Sequence, residues 1–523
     1  MSTQPLYSPP LMGQLVVDGL NRYHDRPCLF LGDTVASYKD VRERTSQFIQ
    51  ALASKGVTKG SSVAVLSANR PEVLYNMAAM MISGCRGTPL HPLGSLDDHA
   101  YVLNDAKIET LVFDSEYFGP HCLELQKRVP TLKNMLAISP LEGADHYPAL
   151  ADKFTPQPLV AAEVDPDDVS ALIYTGGTTG NPKGVMAAAR SAAYMTMIQV
   201  CEWELPEEIR MLVATPLSHA AAAVFVPTLL KGGAMYAMSG FSPEEFFGMI
   251  EKHKITTTFL VPVMIYVLLD SPLAETADLS SLETIVYGAS AMSPTRLAEG
   301  LRKWGPIFFQ CYGQSEAPMV LSHLKKADHD LDKPERLASC GKPTPWIRLA
   351  LLDDDNNEVA PGESGEICVK GPLVMAGYHG LPEESAEALA GGWMHTGDVG
   401  RFDDDGFLYI VDRKKDMIIS GGFNVFPREV EDVIATHPAV AQVAVVGVPD
   451  DTWGEAVKAV IVPRPGETVD GDEIVALVKK AKGSVQAPKS VDIVDAIPLS
   501  ALGKPDKKAL RAQFWGDRDR GVN

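Results

Sequence analysis

The segment Tyr174-Thr-Gly-Gly-Thr-Thr-Gly-Asn-Pro-Lys-Gly184 concentrates the groups that a triphosphate needs. Thr175, Thr178 and Thr179 offer hydroxyls, and Gly176, Gly177 and Gly180 let backbone N–H groups approach phosphate oxygens closely. Lys183 adds a mobile cation. The spacing is not that of the G-x-x-x-x-G-K-[ST] loop. Asn181 or Pro182 stands where that loop needs its second glycine, and Gly184 rather than Ser or Thr follows Lys183. The expectation is therefore a phosphate-binding loop of another class. A flexible Gly/Thr turn between strands is the plainer alternative, but it would not call for Lys183.

Other segments carry matching chemistry. His219, in Pro216-Leu-Ser-His-Ala220, follows an expected buried strand, where a lone histidine is more often structural than catalytic. Gln310-Cys-Tyr-Gly-Gln-Ser-Glu316 joins an aromatic face, a glycine turn, a hydroxyl and a carboxylate in one short run. Gly392-Trp-Met-His-Thr-Gly-Asp398 ends in an acid after a glycine, and Arg413 follows one expected hairpin later. Pro498-Leu-Ser-Ala-Leu-Gly-Lys504 brings a lysine from a near-terminal loop. Taken singly, such an acid is usually a turn residue and such a lysine a solvated charge.

In this order the segments resemble the adenylate-forming superfamily: acyl- and aryl-CoA synthetases, adenylation domains of peptide synthetases, and luciferases. The resemblance spans almost the whole chain, through the phosphate loop, Tyr312-Gly-Gln-Ser-Glu316, Trp393 to Asp398, the run 412–427 and Gly503-Lys504. It implies a two-step reaction. A carboxylate attacks the α-phosphate of ATP, giving an acyl-adenylate and pyrophosphate; a thiol, usually that of coenzyme A, then displaces AMP. It also implies residue roles. Thr175, Gly176, Gly177, Thr178, Thr179, Gly180 and Lys183 would hold the β- and γ-phosphates, and Lys183 would act in catalysis. Tyr312 would stack on adenine, with Gln310, Cys311 and Gly313 counted among the nucleotide-binding residues. Ser315, where the family more often has Thr, would touch the α-phosphate, and Glu316 would hold Mg²⁺. Asp398 would accept both ribose hydroxyls and Arg413 would donate to the ribose. Gly288, Ala289 and Ser290 would wall adenine and the acyl group, and Lys504 would bridge the reacting carboxylate and phosphate. Lys415 would be the hinge of a mobile lid, and Gly421 and Gly422, in Ser420-Gly-Gly-Phe-Asn424, would line the pantetheine tunnel. One departure is visible: Ala188-Ala-Arg190 stands where the family often has Ser/Thr-His-Arg.

The acid is less well specified. His219 and the run Ala220, Ala221, Ala222 and Ala223, with Gly288, fall where the family walls its acyl pocket. Four small side chains suggest room for a medium or long fatty acid, or a bulky alicyclic or aryl acid; close helix packing by alanine is the alternative. Coenzyme A is the expected acceptor. An amine or a carrier-protein thiol is the rival acceptor, and a non-enzymatic nucleotide-binding homologue is the rival class.

The expected elements would position these groups. A helix over 37–55 has Ser37 and Asp40 as a capping-box variant and Val41, Thr45, Phe48 and Leu52 on one face. Short apolar strands over 62–66, 110–113, 171–174, 211–214, 257–260 and 284–287 alternate with helices such as 72–83, 243–253 and 294–303, an α/β pattern with largely parallel sheets. From about 340, turn signals such as Asp353-Asp-Asp-Asn-Asn357 crowd closely spaced strands, which predicts a small antiparallel β subdomain. The expected whole is an N-terminal domain over 1–412, made of two α/β subdomains and this β-rich part, followed by a small mobile α+β lid over 413–523.

Composition sets the outer bounds. The 523 residues carry a formal net charge of −20, which disfavours nucleic acid as a partner but leaves room for a nucleotide held by a few local cations. The seven cysteines include no C-x-x-C, so reduced, buried thiols in a cytoplasmic protein are expected rather than disulfides or zinc. The start does not read as a signal peptide, and the run 259–269 is too short to span a bilayer and contains Pro262. Small molecules are the expected partners; peripheral membrane contact and a homodimer are left open.

Overall fold

The computed structural model describes residues 9–31, 34–175, 182–217, 220–238, 240–414, 416–420, 423–450, 453–499 and 505–515. Local signals act as their chemistry dictates. The Asp40 N–H donates to Ser37 Oγ at 3.2 Å while the Ser37 N–H donates to Asp40 Oδ2 at 2.8 Å, closing the capping box. The helix that follows, Tyr38–Ser54, buries Val41, Thr45, Phe48 and Leu52, the face its spacing predicts. Pro262 does not interrupt the apolar run after Thr257–Leu260. It opens the helix Pro262–Asp270, where a missing N–H costs nothing.

Two large sheets carry the α/β part. One has seven strands, in the order Asp145–His146, Asn134–Ala137, Thr110–Phe113, Ser62–Leu66, Arg86–Pro89, Val169–Thr175 and Lys183–Ala188. The other has nine; its centre runs from Phe308–Gln314 through Thr284–Tyr287, Thr257–Leu260, Arg210–Val213 and Ala234–Ala237 to Pro27–Leu31. Both are parallel inside, as expected. Each also ends in antiparallel pairs, which the reading as largely parallel sheets did not foresee: Val169–Thr175 with Lys183–Ala188, and Phe308–Gln314 with Ala317–Leu324. Those two hairpins carry the phosphate-loop segment and Ser315-Glu316.

Four antiparallel strands, Arg348–Leu352, Gly365–Lys370, Met394–Phe402 and Leu408–Arg413, form a third sheet. It begins at Arg348 rather than near 340, because Lys342–Pro343 pairs with Ala317–Leu324 on the nine-stranded sheet. A small α+β unit follows. Val440–Asp450 and Gly454–Pro463 pair through most of their length, Ser490–Ile493 adds in parallel, and the helices Pro427–Ile434 and Gly471–Lys482 cover an aliphatic core.

Gly313 fixes the hairpin that carries the chemistry. The strand register shifts between Tyr312 and Gln314, and a Cβ on Gly313 would lie 2.1 Å from the Met319 backbone nitrogen. Only glycine allows that approach, and Tyr312 and Gln314, two apart on the strand, send their side chains toward the same carboxylate. Gly313→Ala should therefore destabilise the N-terminal domain by on the order of 1–3 kcal/mol through the clash of the new Cβ with the Met319 backbone. Urea unfolding followed by intrinsic fluorescence checks this; an unchanged midpoint would mean that the hairpin accommodates a side chain.

Candidate functional site

Asp398 is the centre of the site. It lies on Met394–Phe402 directly opposite Arg413 and is 3% exposed. Its Oδ1 sits 3.0 Å from Arg413 Nε. Its Oδ2 accepts from Tyr312 Oη at 2.7 Å and from Gln314 Nε2 at 2.7 Å. A buried carboxylate is tolerable only when paired and hydrogen-bonded, and here two strands from two sheets supply the partners. Asp398 in turn holds the Arg413 guanidinium pKa above its ordinary value, and burial together with Asp398 pushes the Tyr312 phenol well up, keeping it a donor.

The corner bearing Asp398 is fastened from behind. Glu366 Oε1 accepts the Gly397 N–H at 2.9 Å, and the Lys414 N–H donates to the Gly397 carbonyl at 2.8 Å. Glu366 Oε2 faces His395 Nδ1 at 3.2 Å and Lys414 Nζ at 3.5 Å, and Cys368 Sγ lies 3.4 Å from the same imidazole nitrogen. Glu366, Cys368 and His395 are close enough to be considered as cation ligands. Because Glu366 holds the Gly397 N–H beside Asp398 and faces Lys414 next to Arg413, we read the group as a brace.

Ser315 and Glu316 form the two-residue turn between Gln314 and its cross-strand partner Ala317. Tyr378 Oη donates to Glu316 Oε1 at 2.9 Å. Thr175 pairs with Lys183 at the base of the glycine loop, and Lys183 Nζ sits 5.2 Å from the centre of the Tyr378 ring. Gly176, Gly177, Thr178, Thr179 and Gly180 lie outside the described residues, as do His219, Lys415, Gly421, Gly422 and Lys504. A hard divalent cation takes oxygen ligands, often one or two carboxylates plus substrate phosphates. The Glu316 carboxylate, lining the cavity with one oxygen held by Tyr378, fits that requirement.

Thr175, Lys183, Ala289, Ser290, Gln310, Cys311, Tyr312, Gly313, Ser315, Glu316, Asp398 and Arg413 all line one cavity of about 3200 Å³. Ligand pockets usually measure about 300–1,000 Å³, so this one has room for more than one substrate. Two expectations are corrected. Gly288 does not line it: a Cβ there would lie 2.5 Å from the Cys311 carbonyl oxygen, so Gly288 is a close-packing position. Ala221 is 1% exposed and packs in the core, because the short 3₁₀ turn Ala220–Val224 turns it inward. Ala222 and Ala223 do line the cavity, as do Val73, Met77, Met81 and Met195. The Ala220 side chain lies outside the described residues.

Near the start of the C-terminal unit, charges are concentrated. Asp412, 5% exposed, accepts the N–H groups of Arg413 at 2.7 Å and Arg428 at 2.8 Å. Lys507 Nζ pairs with Glu431 Oε1 at 2.7 Å, and Arg511 Nη1 with Asp416 Oδ1 at 2.8 Å. The helix Lys507–Trp515, just after the Lys504 segment, is thereby anchored close to the point where the two units join.

The comparisons agree with this architecture. The AMP-binding enzyme family matches residues 17–379, and the AMP-binding enzyme C-terminal domain matches 429–504. The chain belongs to the AMP-binding enzyme family. It is 54% identical to the medium/long-chain-fatty-acid–CoA ligase FadD8 of Mycobacterium tuberculosis, covering 100% of this chain and 93% of that protein. It is 36% identical to a feruloyl-CoA synthase of Amycolatopsis, over 92% of this chain and 95% of that one. Among solved structures, the amide bond synthetase McbA of Marinactinospora thermotolerans superposes with a TM-score of 0.88 at 31% identity, covering 96% of this chain and 99% of that one.

Three residues of the site were not foreseen. Gln314 stood inside a recognised segment without a role, whereas Glu366 comes from a strand and Tyr378 from an isolated bridge whose approach only the tertiary fold reveals.

The Asp412 carboxyl yields a pH prediction. Burial, the largest cause, raises its pKa to about 6, against the lowering effect of Lys507. An unfolded aspartate releases its proton near ~4. The native state therefore binds this proton more tightly. The associated stability is complete below about pH 4 and is lost as pH rises through about 6. Asp412→Asn lacks this titration, so its stability relative to the parent should grow by ~2–3 kcal/mol between about pH 4 and 7. Denaturation midpoints across that range test it; a pH-independent difference would assign the titration elsewhere.

Proposed function

We propose that the chain is an AMP-forming acid–thiol ligase, which activates a fatty acid as its acyl-adenylate and transfers it to coenzyme A. The observation that carries this reading is the buried Asp398 carboxylate. It is held by Tyr312, Gln314 and Arg413 and lies in one cavity with Glu316 and Lys183. A fixed carboxylate beside a guanidinium matches a ribose diol, which needs an acceptor and a donor together.

In the first step the fatty-acid carboxylate attacks the α-phosphorus of ATP, and the bond to the bridging pyrophosphate oxygen breaks. Asp398 and Arg413 fix the ribose, and the Tyr312 ring faces the base. The Ser315 hydroxyl donates to an α-phosphate oxygen, while Lys183 and the glycine loop take the β- and γ-phosphates. Glu316 would hold Mg²⁺, which neutralises charge on phosphate oxygens. Lys504 stabilises the charge shared by the carboxylate and phosphate in the transition state. In the second step a thiol sulfur adds to the acyl carbon and AMP departs. The residues 413–523 act as a lid that turns about Lys415 between the steps, replacing Lys504 with the Gly421-Gly422 segment through which the pantetheine arm enters. The free, mostly buried thiols suit a reducing, cytoplasmic setting.

The aliphatic acid is supported by Ala222, Ala223, Met77, Met81 and Met195 in the cavity lining, where methionine side chains adapt to a flexible chain. The extensive identity to FadD8, itself named for medium- and long-chain fatty acids, points the same way. A second reading, in which an amine is the acceptor, draws on the likeness to the amide bond synthetase. A carrier-protein thiol is the third acceptor. AMP release measured with coenzyme A, free amines and holo-carrier protein distinguishes them.

A carboxylic-acid panel scored by pyrophosphate release tests the substrate. Medium- and long-chain fatty acids should lead, and release with aryl acids alone would overturn the assignment. In Ala222→Phe the apparent KM for long acids should rise roughly tenfold or more, while short acids are spared, since one misfit methylene costs ~1–3 kcal/mol. An unchanged preference would remove Ala222 from the acyl path.

Lys504→Ala should slow adenylation by ~10² or more while still converting synthetic acyl-adenylate to thioester. Equal loss of both half-reactions would reduce Lys504 to a structural contact.

A further inference from the structure

One short segment touches both the strand that starts at Lys183 and the Glu316 turn. The Met375 N–H donates to the Glu316 carbonyl at 2.8 Å. Ala376 and Gly377 exchange backbone bonds of 2.9 Å with Met186, and the His379 N–H donates to the Gly184 carbonyl at 2.7 Å. Tyr378 forms an antiparallel bridge with Val185. Residues 375–379 thus lie as an added strand along Lys183–Ala188, the outgoing arm of the glycine loop, while gripping the Glu316 turn. The Tyr378 side chain completes the link. Its hydroxyl donates to Glu316 Oε1 at 2.9 Å, its ring faces Lys183 Nζ at 5.2 Å, and its own N–H is held by Ser385 Oγ at 2.8 Å.

We propose that Tyr378 is a positioning residue for adenylation, setting the Glu316 carboxylate for its divalent cation and the Lys183 ammonium for the departing pyrophosphate. This rests on the reading of the cavity as a site for ATP and a divalent cation. The geometry divides the labour. The phenol O–H occupies one Glu316 oxygen and fixes the carboxylate plane, leaving the other lone pairs for a cation. The ring face attracts the ammonium without a counter-charge, so Lys183 is left available for phosphate. A carboxylate and an ammonium lining one cavity would otherwise be drawn into a direct pair, which the substrate would have to break. Tyr378 gives each a different partner. Because the same segment is hydrogen-bonded to both hairpins, the separation of the strand Lys183–Ala188 from the Glu316 turn is set before ATP arrives.

Two variants separate the two contacts. Tyr378→Phe keeps the ring over Lys183 and deletes the O–H···O bond. Tyr378→Leu deletes both. Mn²⁺ binding to the protein–ATP complex, read by electron paramagnetic resonance, should weaken about tenfold or more in Tyr378→Phe, the effect of one hydrogen bond to a charged group. Pyrophosphate affinity, measured without metal, should stay at the parental value in Tyr378→Phe and fall at least ~3-fold in Tyr378→Leu. AMP affinity should be unchanged in both, because Asp398 and Arg413 hold the ribose independently. Parental Mn²⁺ affinity in Tyr378→Phe overturns the proposal, as does tighter Mn²⁺ binding, which would make the phenol a competitor of the cation. Equal loss of AMP, Mn²⁺ and pyrophosphate binding also overturns it, assigning Tyr378 to the fold alone. Failure of the unaltered protein to bind Mn²⁺–ATP would overturn the ligase reading itself and this proposal with it.

Discussion

A carboxylate that is 3% exposed must be paid for with partners, and the way Asp398 obtains them organises the molecule. Arg413 comes from the neighbouring strand of its own sheet, whereas Tyr312 and Gln314 come from the edge hairpin of the nine-stranded sheet. The N-terminal sheets are thus locked together at the point where a nucleotide would be gripped. Removing any one partner leaves charge buried with less compensation, so the same contacts serve stability and recognition. The close backbone approach at Gly313 and the brace of Glu366 behind Gly397 make sense as supports for this one group.

The helical periodicities and apolar strand runs were legible in the sequence because they are local. The boundaries Pro243–His253 and Pro294–Trp304 follow from a proline at the first turn and an apolar face at helical spacing. The resemblance to the adenylate-forming superfamily was likewise legible, since its motifs are contiguous. Cross-strand and cross-sheet meetings were not. Nothing near Glu366 in the chain announces that it will hold Gly397, and nothing near Tyr378 announces Glu316. The edge hairpins escaped notice because antiparallel pairing depends on partners rather than on composition. Ala221 was misassigned for a similar reason: four identical alanines give no hint of which one faces the core, and only the 3₁₀ turn decides.

The cavity lining has two physical characters. Charged and hydroxyl-bearing groups stand on hairpins and a sheet corner, which suits a reaction whose barrier is electrostatic. Small alanines and methionines also line it, which suits a chain recognised by area rather than by hydrogen bonds. The C-terminal unit lines the same cavity with Lys507 and Arg511, whose ion pairs tie the helix after Lys504 to Glu431 and Asp416. A lid turning about Lys415 would carry these pairs with it, so that the helix and the Lys504 segment move together.

The most direct measurement is a crystal structure with a long-chain acyl-sulfamoyl adenosine, a stable mimic of the acyl-adenylate. The account predicts both ribose hydroxyls on Asp398, with the adenine against Tyr312. The acyl chain should run past Ala222 toward Met77 and Met81. A nucleotide bound away from Asp398, or an acyl chain leaving the cavity by another route, would contradict it.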